Sequence, residues 1–146
     1  MKVVAYSINP DEKEFLAKAN QKKHDITFIF NSLSLDTAIY ANGKQAVIVC
    51  ASDDVSARVL EKLASMGVKY ISTRSTENDH IDKEAAARYG IKLANVPEHS
   101  AIKEIAIQTI KNLDSWEMNK CVGNSCICAQ GCRTNEIDKK VKDNLC

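Results

Sequence analysis

The stretch AVIVCASDDVSARVLEKLASMGVKYIST, residues 46–73, decides the fold. Residues 46–50 are apolar on both faces, the mark of a strand covered on two sides. Asp53 or Asp54 then offers a helix N-cap, and Val55, Val59, Leu60 and Leu63 share one helical face. Gly67 suits the left-handed residue that closes a helix. A further apolar strand, 68–73, follows at once. Strand, helix and strand in this order form a crossover that lays two strands parallel.

The same alternation continues in both directions. Upstream, residues 2–6 (KVVAY) read as a strand, and Asn9-Pro10-Asp11-Glu12 reads as an N-cap, a first-turn proline and first-turn acids. Phe15, Leu16 and Ala19 face one way on that helix. Residues 26–30 (ITFIF) form another strand, and a short helix is expected over 34–40, stopped near Asn42-Gly43. Downstream, Asp82 caps a helix bearing Ala85, Ala86 and Tyr89, which Gly90 ends. Residues 91–96 make the fifth strand. Ser100 is expected to cap a last helix with Ile102, Ile105, Ala106, Ile110 and Leu113 in phase. Five such strands alternating with helices predict an α/β fold: a flavodoxin-like, doubly wound, five-stranded parallel sheet in the order 2-1-3-4-5. Ligands in such sheets bind at the carboxyl ends of the strands, which points to loops 7–9, 50–54 and 73–82.

Composition narrows the function classes. With 20 basic against 19 acidic residues and no basic stripe interleaved with aromatics, nucleic acid is not an expected partner. No apolar run reaches the roughly 18 residues of a membrane span, and residues 1–9 meet Pro10 and two acids too soon for a secretory signal. No membrane association and a cytoplasmic location are therefore expected. Composition changes near Trp116, so residues 1–116 are read as one domain and 117–146 as a short Cys-rich C-terminal tail.

Three segments, MKVVAYSINPDEKEFL, residues 46–82, and AAARYGIKLANVP, resemble in order the amino-terminal part of D-lactate dehydrogenases. The likeness covers about residues 1–97 and implies the substrate domain of the D-isomer-specific 2-hydroxyacid dehydrogenase family. Members of that family continue into a nicotinamide-binding domain, but no G-x-G-x-x-G occurs among Gly43, Gly67, Gly90, Gly123 and Gly131. No NAD site is expected in these residues. The resemblance places the family's catalytic Arg, Glu and His beyond the matching region, so no catalytic residue is assigned, and His99 reads as a surface histidine.

In the family, the loop after the fourth strand reads like R-S-A-G-F-D-H-I-D, and its backbone amides hold the substrate carboxylate. Here it reads Arg74-Ser75-Thr76-Glu77-Asn78-Asp79-His80-Ile81-Asp82. Arg74, Ser75, Asp79 and His80 match the pattern and are the candidate ligand-binding residues. Glu77 replaces glycine, which predicts backbone strain and a charge opposing a carboxylate by about 1 to 4 kcal/mol at about 4 Å. Two readings of Arg74 and His80 stand: a small-anion site, or Arg74 paired with Glu77 or Asp79 while His80 packs on the following helix.

The tail carries Cys121-Val-Gly-Asn-Ser-Cys126-Ile-Cys128-Ala-Gln-Gly-Cys132. Four thiols so close together could wrap one soft metal centre, so Cys121, Cys126, Cys128 and Cys132 are candidate ligands for zinc or an iron–sulfur cluster. The spacing C-x4-C-x-C-x3-C fits no common pattern. A thiol–disulfide switch involving Cys146, or a tail without specific chemistry, are the other readings. Cys50, at the end of a buried strand, reads as a small core residue.

These features give three functional expectations. The chain is a dehydrogenase-like domain that is not catalytic alone, with a metal-binding or redox tail; or it is the substrate-binding component that works with a separate nicotinamide-binding subunit; or it binds a small anion without chemistry. Homo-oligomerisation is open on this reading.

Overall fold

A computed structural model describes residues 1–96 and 101–129. Five strands, β1 (Lys2–Ala5), β2 (Asp25–Phe28), β3 (Ala46–Val49), β4 (Tyr70–Thr73) and β5 (Lys92–Ala94), pair in the order β2-β1-β3-β4-β5. Every pair is parallel, with Val4 opposite Val47 and Ile48 opposite Ser72 in register. The doubly wound sheet is the one the alternation of strands and helices predicts.

Because side chains alternate across a strand, each strand feeds two cores. Val4, Tyr6, Val47, Val49, Ile71 and Leu93 point to the face covered by α2 (Ala57–Ser65) and α3 (Lys83–Arg88). Val3, Ala5, Ala46 and Ile48 point to the other face, where α1 (Pro10–Asn20) and α4 (Ile102–Glu117) supply Leu16, Ala106, Ile110, Leu113 and Trp116. Trp116 stacks on Tyr70 with ring centroids 4.9 Å apart. His24, fully buried, meets Asp114 of α4 at 2.8 Å, and Lys23 meets the same carboxylate at 2.7 Å. No helix of the described residues is long and apolar enough to cross a membrane.

The helix starts follow the sequence in two cases. Asn9 caps α1, its side chain accepting from Glu12 N–H at 2.8 Å, and Asp82 caps α3 by accepting from Ala85 N–H at 3.0 Å. Elsewhere the structure differs. The N-cap of α2 is Ser56, not Asp53 or Asp54; Asp54 accepts from Ser56 N–H, and Asp53 turns inward. The helix expected over 34–40 shrinks to a 3₁₀ turn, Ala38–Ala41, because Ser34 and Thr37 spend their hydroxyls on local backbone and on each other. Ser100 lies outside the described residues.

After α4 the chain returns to the sheet. Cys126 pairs antiparallel with Ala94, Asn95 N–H donates to Ser125 O at 2.9 Å, and Ile127 N–H donates to Leu93 O at 3.2 Å. Residues 125–127 thus cover the edge of β5 that would otherwise present unpaired backbone groups.

Candidate functional site at the carboxyl ends of the strands

Three strand ends converge around one buried carboxylate. Asp53, 2% exposed, accepts from Ser7 Oγ at 2.6 Å, Cys50 N–H at 2.8 Å and Leu33 N–H at 2.9 Å. It joins the turn after β1, the turn after β3 and the chain beyond β2. Ser7 adopts a left-handed backbone with φ 56°, a conformation that costs an L-residue about 1–2 kcal/mol. Its N–H donates to Asn31 O and its carbonyl accepts from Arg74, which together hold it there. Tyr6, beside it, donates its hydroxyl to Thr37 O at 2.8 Å. Burial, then the nearby Asp53 carboxylate, push that phenol far above its ordinary range.

Arg74 at the end of β4 is buried too. Its guanidinium donates to Tyr6 O at 3.0 Å, to Ser7 O at 3.1 Å and to Glu12 Oε2 at 3.1 Å. The expected pairing with Glu77 or Asp79 is therefore replaced by one with Glu12, in the first turn of α1. That turn lies closer to the strand end than the loop's own acids, which are exposed. Arg74 braces the site from beneath.

The loop beyond it is closed by its own hydroxyls. Ser75 Oγ donates to Glu77 O at 2.7 Å and lies 2.7 Å from Thr73 Oγ1. Thr76 reaches Val96 O at 3.0 Å, and its carbonyl accepts from Asn95 Nδ2 at 3.0 Å. Glu77 is exposed and its φ is not positive, so the strain expected from losing glycine does not arise. Asp79 is exposed. His80 is half-buried, with Nε2 shielded from solvent and meeting no hydrogen-bond partner among the described residues. Burial holds its pKa below the ordinary histidine value against the opposing pull of Asp53, so at neutral pH the ring is uncharged. The backbone N–H groups of residues 76–80 likewise meet no acceptor among the described residues. Successive amide donors on a polar loop suit an anion such as a carboxylate.

Sequence reasoning missed two of these groups. In the sequence Glu12 presents only as a first-turn acid and Asp53 only as one of two possible caps; two adjacent aspartates after a buried strand are the available signal. Of the candidate residues, Ser75 and His80 share the loop, Asp79 faces solvent, and Arg74 lies below it.

The other candidate cluster is separate. Cys121, Cys126 and Cys128 lie at the free edge of β5, and the Cys126 thiol contacts both of the others. Cys132 lies outside the described residues. Among the described residues no three His, Cys, Asp or Glu side chains already surround a common point suited to a metal.

Residues 3–106 match the family described as D-isomer specific 2-hydroxyacid dehydrogenase, catalytic domain. The chain belongs to that family. The D-lactate dehydrogenase of Escherichia coli (strain K12) is 35% identical over 117 residues, covering 78% of this chain and 36% of its own length. An aromatic 2-oxoacid reductase of Clostridium sporogenes (strain ATCC 15579) is 34% identical over 101 residues, covering 68% of this chain and 30% of its own. The apo structure of the Escherichia coli D-lactate dehydrogenase superposes with a TM-score of 0.67 at 36% identity, over 68% of this chain and 32% of that one. The chain thus spans about a third of the length of the 2-hydroxyacid dehydrogenases it matches. Among the described residues no glycine fits a dinucleotide: Gly43, Gly67 and Gly90 follow helical turns, Gly123 opens a 3₁₀ turn, and none of these four joins a strand to the N-terminus of a long helix.

Proposed function

We propose that this chain is the 2-oxo acid-binding domain of a D-2-hydroxyacid dehydrogenase and needs a nicotinamide-binding polypeptide outside these residues for turnover. The observation that carries the reading is the run of N–H groups over residues 76–80, at the carboxyl end of β4, that meet no acceptor among the described residues. Arg74 and Asp53 tie the neighbouring strand ends together through hydrogen bonds to Tyr6 O and from Cys50 N–H, which supports a fixed base for that loop. A 2-oxo acid would lay its carboxylate on the amides. Neutral His80, whose shielded Nε2 meets no partner among the described residues, adds no cation there.

Thermal unfolding with pyruvate or phenylpyruvate, against the matching 2-methyl acids as controls, tests the reading. At a concentration 100 times Kd, binding adds about 2.7 kcal/mol of stability and raises the midpoint. Adding a nicotinamide-binding dehydrogenase domain and NADH should then give 2-oxo acid reduction that the chain alone does not. No shift with any 2-oxo acid, or reduction by the chain alone, overturns it.

A further inference from the structure

The two edges of the sheet are treated differently. Residues 125–127 cover β5, whereas β2 is bonded to β1 on one side and to no strand among the described residues on the other. Asp25 N–H donates to Met1 O and Ile29 N–H to Ala5 O, both at 2.9 Å, and Ile29 O accepts from Ile8 N–H. Backbone groups alternate sides along a strand, so the N–H and C=O of Ile26 and Phe28 point outward. They meet no backbone partner among the described residues. Residues 25–30 contain no proline and no lysine, and the register with β1 has no bulge, so the usual devices that blunt an edge are missing. Ile26 and Phe28 are half-buried against the core under α1 and α4, and Phe30, just beyond the strand, is 81% exposed.

We propose that β2 pairs antiparallel with β2 of a second copy of this chain, about a two-fold axis at Thr27. Ile26 then lies opposite Phe28 of the second copy, and Phe28 opposite its Ile26. Each such pair exchanges two backbone hydrogen bonds, so every outward group of both residues is satisfied. The side chains of Ile26 and Phe28 share one face and form apolar cross-strand pairs there. Charge favours a second copy over an unrelated strand. On the other face Asp25 is exposed, and Lys44 Nζ is held on Thr27 Oγ1 at 3.0 Å. With the axis at Thr27, Asp25 of each copy stands diagonal to Thr27 of the other, beside the Lys44 held on it, so opposite charges meet twice. Other registers do worse. An axis at Phe28 separates Asp25 from that Lys44. An axis at Ile26 sets Phe28 against His24, whose backbone N–H and C=O are already bonded to Asn20. So short a shared edge buries less than a permanent dimer needs, and the association is weak. Because the paired strands run antiparallel, the carboxyl ends of the two sheets point opposite ways and both loops 76–80 stay open.

The test is sedimentation equilibrium of the full chain, kept reduced, from about 1 μM to about 1 mM. The weight-average mass should climb from that of one chain toward twice that value. Asp25→Lys should weaken association by about 10-fold, and combining it with Lys44→Asp should recover most of the loss. Thr27→Cys supplies a second measurement. Opposed residues of a non-hydrogen-bonded antiparallel pair lie within disulfide reach, so mild oxidation should link position 27 of the two copies, as read by peptide mass spectrometry. Asp25→Cys, opposite Ile29 of the second copy, should not link to itself. A mass that stays at one chain throughout, a dimer indifferent to Asp25→Lys, or self-linking at position 25 as fast as at position 27 overturns the proposal.

Discussion

Arg74 Nε donates to Glu12 Oε2 at 3.1 Å, joining the end of β4 to the first turn of α1 across 62 residues of sequence. The side chain of Arg74 is 5% exposed and that of Glu12 is 22% exposed, so this is a mostly desolvated pair. The same guanidinium satisfies two backbone carbonyls at the end of β1. Such pairs add little net stability when formed, yet breaking one strands the remaining charge.

Arg74→Ala should therefore destabilise the fold by about 3–5 kcal/mol in urea unfolding, whatever it does to ligand binding. Arg74→Lys should recover only part, since one ammonium cannot reach all three acceptors. A loss under about 1 kcal/mol, typical of an exposed pair, would place Arg74 in solvent instead.

Asp53→Ala removes the acceptor of two backbone N–H groups and of the Ser7 hydroxyl. Each buried donor left without a partner costs about 1–3 kcal/mol, so the variant should lose several kcal/mol in denaturant unfolding. Asp53→Asn, which keeps an acceptor oxygen, should lose less. Equal losses for the two would show that the acceptor oxygen is not what matters.

His80 gives the site an acid-side pH dependence. Its folded pKa lies below the unfolded value because burial disfavours the imidazolium. The unfolded chain consequently binds its proton first as pH falls, so stability is full above the unfolded value near 6.5 and declines below it, down to the folded pKa. His80→Gln should flatten that part of the curve of unfolding free energy against pH. An unchanged slope would assign the dependence elsewhere.

Trp116 anchors α4 against β4 through its stack on Tyr70 and is 3% exposed. Trp116→Ala should cost about 3–5 kcal/mol by urea unfolding, through lost burial and the cavity left behind. A small cost would mean that α4 is not part of the same cooperative unit as the sheet.

The sheet was legible in the sequence because local signals agreed with one another. Apolar runs such as 46–49, the Asn9-Pro10 start and the glycines after α2 and α3 each name an element without distant partners. What stayed hidden depends on three-dimensional proximity. Nothing in loop 74–82 discloses that Arg74 bonds to Glu12, nor that Asp53 turns inward while Asp54 serves the N–H of Ser56. Glycine at the position of Glu77 suggested a left-handed residue, but the chain passes that point without one. The return of residues 125–127 to β5 is a backbone pairing, and backbone pairing at a sheet edge leaves little trace in side-chain pattern.

The central claim, that loop 76–80 receives a 2-oxo carboxylate, is tested most directly by following backbone ¹⁵N–¹H resonances of the chain during titration with pyruvate. Saturable shifts should concentrate on Thr76, Glu77, Asn78, Asp79 and His80, and an uncharged pyruvamide should not reproduce them. Shifts absent from these five amides while others move, or no saturable shift at all, would contradict the account.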